Sequence, residues 1–359
     1  VNINNSKEQL ILQQAIAALS QKIGLQASFH ICKKASIGID GVIKFDEHPK
    51  KQFGLWVKLW TQKSNVNVLI AKMKILGDKY LLITDYVNPN LAETFREHGV
   101  GFIDAVGNAY INTPPLYVFV KGNKRQSLDS VVQTQKSKQT SGRAFRTSGI
   151  KVLYALMRDP ELLNKTYREI ATAAGISLGS IGLIFEDLKQ SGFLTERKRG
   201  NFATRILRNN NSLYDKWVFA YTTQLRPKLF LGRFDSKYDF DWKDELDELR
   251  PSQAKWGGEV GVSLLDDYLT PGELTIYLPE KKLGTFLKEF RMHRSEGGKI
   301  CLYNTFQSDE NMSAVNGRND VVVDPMIIFA DLLTTTDPRN LEAAWRFYKD
   351  GHIGFIEKN

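Results

Sequence analysis

Apolar positions along the chain switch repeatedly between helical and strand periods, and the switches divide it into three parts. Between residues 6 and 23, Leu10, Ile11, Ile16, Ala17, Leu19 and Ile23 fall mostly on one stripe, and Gly24 stops a predicted first helix. Runs at 28–32, 41–45 and 53–60, separated by Gly38, Gly41 and Pro49, read as a meander of three strands. A helix is predicted over 66–76, a buried strand over 80–84, and a helix over 89–98 with Asn88 as N-cap, Pro89 at its first position and Gly99 at its end. Strands at 101–104, 108–111 and 116–120 close this part, with Gly107-Asn108 as a tight turn. Asp104 and Asn108 stand at that turn. They are expected to satisfy backbone donors there, with ligand binding as the second reading.

The second part carries the most specific local chemistry. Thr166, followed three residues later by Glu169, predicts a capping box for a helix over 167–174. Gly175 ends that helix in a left-handed conformation, and Ser177 is placed to cap the next one. On that second helix Ile181, Ile184, Phe185 and Leu188 form a buried stripe, leaving Leu178, Gly179, Ser180 and Gly182 on the leading turns. Two short strands then surround a basic tip at Arg197, Lys198, Arg199, Gly200 and Asn201. With a first helix over 150–157, this is the order of a winged helix-turn-helix, whose second helix reads the major groove of DNA. The stretch at 123–149, rich in Gln, Ser, Thr and Lys and including Arg143 and Arg146, reads as a basic flexible linker.

Beyond residue 209 strands and helices alternate. A helix over 211–224 is followed by a strand over 228–234, and Ser252 is expected to cap a helix carrying Trp256, Val260 and Leu264. Strands at 273–278 and 299–303 flank a helix over 280–293, and Asp324-Pro325 and Asp337-Pro338 open two terminal helices.

Composition narrows the partners. The chain of 359 residues is long enough for two or three domains at about 150 residues each. Its net charge of +9 is uneven: about +4 over 1–120, about +10 over 121–210 and about −5 over 211–359. The basic excess coincides with the helix-turn-helix, as expected of a binder of nucleic-acid phosphates. Apolar runs stay below the roughly 18 residues of a membrane span, and residues 1–6 have no signal-peptide pattern, so a cytoplasmic location is expected. Cys32 and Cys301 are too distant in sequence to suggest a disulfide framework or zinc cluster and read as buried small hydrophobes. The five histidines, His30, His48, His98, His293 and His352, lack ligand spacing; there is no phosphate-binding G-x-x-x-x-G-K-[ST] loop. Asp239-Phe-Asp241 lacks the upstream Gly-Ser turn of a nucleotidyltransferase and reads as an acidic loop. No catalytic residue, metal or cofactor is assigned.

Two resemblances add to this. The element order of the first part is that of the restriction-endonuclease-like α/β core. Asp40-Gly41 with 53–58 resembles the PD-(D/E)xK nuclease pattern, in which two carboxylates and a lysine hold Mg²⁺ and orient water. Trp56 stands where the second carboxylate belongs, with Lys58 retained, and an indole cannot ligate a hard cation; Asp46 and Glu47 are the nearest substitutes. Separately, the segments 85–96, 101–111, 256–260, 324–333 and 337–343 resemble AbiEi-type antitoxins of type IV toxin–antitoxin systems. That resemblance implies a non-catalytic, sequence-specific DNA-binding regulator that represses its own operon. It would counteract a nucleotidyltransferase-type toxin without stable contact.

The organisation expected is thus a restriction-endonuclease-like α/β domain over 1–122, inactive as a nuclease; a linker over 123–149; a winged helix-turn-helix over 150–208; and a C-terminal α/β domain over 209–359. DNA contacts are expected from Thr166, Ser177, Leu178, Gly179, Ser180, Arg197, Lys198, Arg199, Asn201, Arg143 and Arg146. The expected partner is double-stranded DNA of the protein's own promoter, with a homodimer possible and no membrane. Two alternatives compete: a PD-(D/E)xK endonuclease targeted by the winged helix, and an interaction protein that binds a partner through its acidic C-terminal part.

Overall fold

The computed structural model describes residues 6–31, 40–46, 51–58, 66–114, 116–124, 142–199, 202–208, 210–237, 240–246, 248–306, 321–335 and 337–353. The first part builds a seven-stranded sheet whose spatial order follows the chain: β1 (Ala27–Ile31), β2 (Gly41–Phe45), β3 (Gln52–Lys58), β4 (Tyr80–Thr84), β5 (Phe102–Asp104), β6 (Ala109–Thr113) and β7 (Leu116–Val120). β3, β4 and β5 pair in parallel, and the other neighbours pair antiparallel. Parallel strands need a crossover. α2 (Val66–Leu76) and α3 (Pro89–Glu97) supply it, as predicted.

Strand alternation divides the apolar side chains between two faces. Ile43, Phe45, Leu55, Val57, Leu81 and Ile83 pack under α1 (Ser6–Ile23), against Leu12, Ala15 and Leu19. Trp56, Leu82 and Phe102 face the other way, into Leu69, Ile70, Met73, Leu91 and Phe95 of α2 and α3. Asn88 caps α3 as expected, accepting the Leu91 amide at 2.9 Å.

The second part begins with a 3₁₀ turn, Arg143–Phe145, followed by α4 (Thr147–Arg158), α5 (Tyr167–Ala174), a 3₁₀ turn Leu178–Ser180, α6 (Ile181–Gln190), β8 (Leu194–Arg199) and β9 (Phe202–Leu207). The basic stretch therefore does not run flexibly to 149. Asp187, buried on α6, accepts the Ala144 amide at 2.8 Å and the Gly142 amide at 3.3 Å, which ties the turn carrying Arg143 to α6. Residues 125–141 of the predicted linker lie outside the described residues.

The third part comprises α7 (Asn210–Ala220), a π-helical turn Tyr221–Leu225, α8 (Arg226–Leu229), β10 (Phe230–Ser236), β11 (Lys255–Gly257), α9 (Gly258–Asp266), β12 (Leu274–Leu278), α10 (Leu283–Glu289), β13 (Met292–Arg294), β14 (Ile300–Asn304), α11 (Pro325–Leu332) and α12 (Pro338–Lys349). Its mixed sheet has the order β11-β12-β14-β10-β13, with β12 and β14 parallel.

Two sequence expectations fail here for one reason, long-range pairing. Trp256, expected on a helix capped by Ser252, lies on β11, where its amide and carbonyl are taken by Val321 and Val323 at 2.8 Å each. Ser252 ends a 3₁₀ turn instead. The helix expected over 280–293 ends at Glu289, because Arg291 takes a φ of 46° and Met292–Arg294 pairs with β10. The terminal caps behave as predicted: Asp324 accepts the Met326 amide and Asp337 the Arg339 amide, each ahead of an N1 proline.

One apolar core runs from Ala144 to Ile353 without a break at residue 208. At its centre Trp217 of α7 donates from Nε1 to the Ile150 carbonyl of α4 at 2.9 Å and stacks on Tyr214, Tyr221 and Tyr154. Nearby, Arg226 Nε donates to Asp331 Oδ1 at 2.7 Å, and the Tyr277 hydroxyl donates to the same oxygen at 2.8 Å. Gly257 and Gly258 pass this pair so closely that added Cβ atoms would come within 3.0 Å of Asp331 Oδ2 and 2.8 Å of Thr275 Oγ1. Burial pushes Asp331 above the usual carboxylate range despite Arg226; burial also works against the guanidinium charge, but Asp331 and the neighbouring tyrosines outweigh it. Among the described residues, no single helix is long and apolar enough to cross a membrane.

Arg226→Ala would leave the Asp331 carboxylate buried without its cation. It is expected to cost about 3–5 kcal/mol, read as a lower urea midpoint. An unchanged midpoint would mean that the pair contributes nothing to the core.

Candidate nucleic-acid interface

The helix-turn-helix forms by local chemistry. Thr166 and Glu169 make both bonds of the capping box: Glu169 Oε2 accepts the Thr166 amide at 2.8 Å, and Thr166 Oγ1 accepts the Glu169 amide at 3.3 Å. The Thr166 hydroxyl also donates to that carboxylate at 2.6 Å, so its hydrogen-bonding capacity is used inside the cap. These bonds hold Glu169 below the usual carboxylate range. Gly175 takes φ 60° and ψ 43°, a conformation costly for any residue with a Cβ, and the Ile176 amide returns to the Ala171 carbonyl.

Ser177 departs from expectation. It caps no backbone amide; its Oγ lies 3.1 Å from Ser180 Oγ, and the chain enters α6 through the 3₁₀ turn Leu178–Ser180. Both hydroxyls, that of exposed Ser177 and that of half-buried Ser180, stand at the leading end of α6. Ile181, Ile184, Phe185 and Leu188 are buried as predicted, whereas Leu178 and Leu183 are large exposed apolar side chains.

The β8–β9 hairpin runs antiparallel from Leu194↔Leu207 to Arg199↔Phe202. Its direction is set by Arg205, a residue that strand pattern alone does not single out. Arg205 Nε donates to Glu196 Oε1 at 3.1 Å, and Nη1 donates to the Leu163 carbonyl at 3.2 Å. The guanidinium also lies 5.0 Å and 5.3 Å from the ring centres of Tyr167 and Phe185. Lys189 of α6 pairs with the same Glu196, which holds that carboxyl below its usual range together with Arg205. The cross-strand register Glu196↔Arg205 is the one signal that could have found this lock. Arg197 is exposed on β8; Lys198 and Arg199 follow it on the strand, and Gly200 and Asn201 lie outside the described residues. Arg143, Arg146, Lys165 and Arg168 are also exposed.

Behind this unit, between α4, β9 and the start of α11, lies a cavity of about 660 Å³ lined by residues including Met157, Arg158, Arg205, Asn210, Asp324 and Ile353. Arg158 pairs with Asp324 at 3.5 Å. Burial raises Asp324, against the Met326 amide and Arg158.

The two other candidate sets resolve differently. Asp40, Trp56 and Lys58 are brought together at one end of β2 and β3, but Asp40 Oδ2 accepts the Val57 amide at 2.7 Å. Trp56 is buried in the core beneath α2 and α3, and Lys58 Nζ lies 4.9 Å from its ring centre. Asp46 is described, while Glu47 is outside the described residues, as are Cys32, His48 and Asp239. Asp104 accepts the amides of Val87, Val106 and Asn108 and the Asn108 side chain, and Asn108 Oδ1 accepts the Asn123 amide. This pair is spent on the turn. Cys301 is buried, and burial pushes its thiol up to about 12.

Comparison with known proteins gives one match. Residues 205–352 match the family model described as transcriptional regulator, AbiEi antitoxin, type IV TA system. That segment is similar to the AbiEi antitoxin family. No curated protein matches, and no solved structure matches. The AbiEi segment starts at Arg205, the residue that locks the hairpin, and ends beside the cavity at His352. It includes Trp256–Gly257–Gly258 and Asp331, which meet in the core, whereas residues 85–111, which also carry the resemblance in sequence, lie outside the match.

Asp324 yields a pH prediction. A carboxyl whose folded pKa lies above its unfolded value of about 3.9 binds its proton more tightly when folded, so its contribution to stability falls as pH rises from about 4 through the raised pKa. Asp324→Asn keeps an N-cap acceptor and removes the titration. The stability of the variant relative to the native protein should therefore rise between about pH 4 and pH 7 in urea titrations. A constant difference would contradict the assignment.

Proposed function

We propose that this protein is a sequence-specific DNA-binding transcriptional regulator that acts as the antitoxin of a type IV toxin–antitoxin system and represses its own operon. The observation that carries this is the leading face of α6, open to solvent, with exposed Arg143, Arg168 and Arg197 on the 3₁₀ turn, α5 and β8 that pack against that helix, and exposed Arg146 and Lys165 beside them in sequence. Residues 142–208 are read as a winged helix-turn-helix. The 3₁₀ turn and α6 enter the major groove, Ser177 and Ser180 meet base edges or phosphates, and the β8–β9 hairpin tracks the backbone as the wing. Thr166 acts by fixing α5 through its capping box.

The AbiEi match supports the antitoxin role. The toxin would be of the nucleotidyltransferase class and would be countered without stable contact. The N-terminal sheet is read as a restriction-endonuclease-like scaffold without nuclease chemistry. In support, Asp40 anchors the Val57 amide and an indole occupies position 56. Mg²⁺- or Mn²⁺-dependent cleavage of duplex DNA that is lost in Asp40→Ala would refute this part.

Mobility-shift titrations at several salt concentrations test the DNA reading. Changing Arg197, Lys198 and Arg199 to Ala should weaken duplex binding and flatten the log–log salt slope by about one unit for each phosphate that is no longer neutralised. Ser180→Ala should relax sequence preference, whereas Lys198→Ala alone should lower affinity evenly across sequences. No duplex affinity at low salt, or the same affinity in the triple variant, would overturn the assignment.

A further inference from the structure

Beside Ser177 and Ser180, the surface that the DNA reading turns toward bases carries side chains that are not the usual base readers. From the 3₁₀ turn Leu178–Ser180 into α6, the solvent-facing positions are Leu178, Gly179, Leu183, Glu186 and Gln190. Leu178 is 46% exposed and Leu183 48%, while the buried stripe of the same helix is nearly inaccessible. Glu186 Oε1 accepts a hydrogen bond from Gln190 Nε2 at 3.0 Å, so both polar side chains of this face are engaged with each other along its far end. At its leading end the face offers two isobutyl groups.

Two glycines, Gly179 and Gly182, lie between the leucines. Among the described residues, nothing beyond its own chain neighbours lies within 4 Å of where a Cβ on Gly179 would sit, and outside its own helix backbone the nearest atom to one on Gly182 is Tyr167 Cε2 at 3.7 Å. Internal packing therefore does not require glycine at 179. A bare backbone there lets the helix approach another surface closely, and the leucines flanking it then reach furthest forward.

We propose that Leu178 and Leu183 are specificity-determining residues that read thymine C5-methyl groups in the major groove; this rests on the DNA-binding reading above. The thymine methyl is the only apolar group that the four bases present in that groove. The surroundings favour duplex DNA over an apolar protein partner. The 3₁₀ turn, α5 and β8, which all pack against α6, carry exposed Arg143, Arg168 and Arg197, with exposed Arg146 and Lys165 beside them in sequence, a set of cations that complements phosphates and not an apolar partner. The sequences bound most tightly should carry thymine under the start of α6.

The test uses the full chain and duplexes that it retains from a randomised library, each remade with deoxyuridine in place of thymidine at single positions. The exchange removes one methyl and nothing else. At fixed salt, deoxyuridine at one or two positions should weaken binding about three- to tenfold each. Leu178→Ala and Leu183→Ala should bind the thymidine duplex that much more weakly and lose sensitivity to the exchange, each at its own position. Both leucines lie outside the core, so loss of folding does not confound the comparison. Equal affinity of the native protein for both duplexes would overturn the proposal while leaving DNA binding intact. Leucine variants that change the sedimenting mass but keep native sensitivity to the exchange would also overturn it, assigning the face to a second copy of the chain. Absence of any duplex binding at low salt would remove the underlying reading together with it.

Discussion

The indole of Trp217 is the contact on which the arrangement of the second and third parts depends. It fills the junction between α4, α7 and the tyrosines around it, and its N–H satisfies the Ile150 carbonyl across that junction. A buried aromatic of this size stabilises mainly by apolar burial, of order 2–3 kcal/mol, and its hydrogen bond fixes direction more than it adds energy. Because α4 is held this way, the unit of α4, α5, α6 and the β8–β9 hairpin is not a bead on a tether. Its core is continuous with that of the segment that matches the AbiEi model, and the hairpin is aimed by Arg205, the first residue of that segment.

This continuity changes how the electrostatics are understood. The basic excess over 121–210 and the acidic balance beyond it look like two independent modules in sequence. In the fold, the acidic part supplies anchors such as the partly buried Asp324 and the buried Asp331, the first facing Arg158 of α4 and the second Arg226 at the start of α8. Part of its negative charge is thus structural. The cavity between α4, β9 and α11 lies along the same seam.

The elements most legible in sequence were those whose determinants lie within one turn of each other. The Thr166–Glu169 box, the left-handed Gly175 and the Asp-Pro starts of α11 and α12 each need only neighbours three or four residues away. What sequence could not reveal depends on distant partners. Trp256 has a helical setting until the 321–323 segment pairs with it. Asp187 looks like a charge misplaced on an apolar stripe until the amides of Gly142 and Ala144 meet it. In the candidate interface, spacing located α6 but not the exposure of Leu183 or the lock made by Arg205, because both depend on how the helix and hairpin seat on their neighbours. The indole at position 56 already marks the Asp40, Trp56 and Lys58 set as poor in metal ligands from sequence, whereas the anchoring of Asp40 on Val57 requires the register of β2 against β3.

The central claim is that α6 and the β8–β9 hairpin place this chain on duplex DNA in one fixed register. Hydroxyl-radical footprinting of the full chain on the DNA upstream of its own gene tests it most directly. The account predicts protected backbone on both sides of a major groove, with an adjoining protected stretch where the wing lies. Uniform reactivity along that DNA at low salt, or protection that shifts with no preferred position, would contradict it.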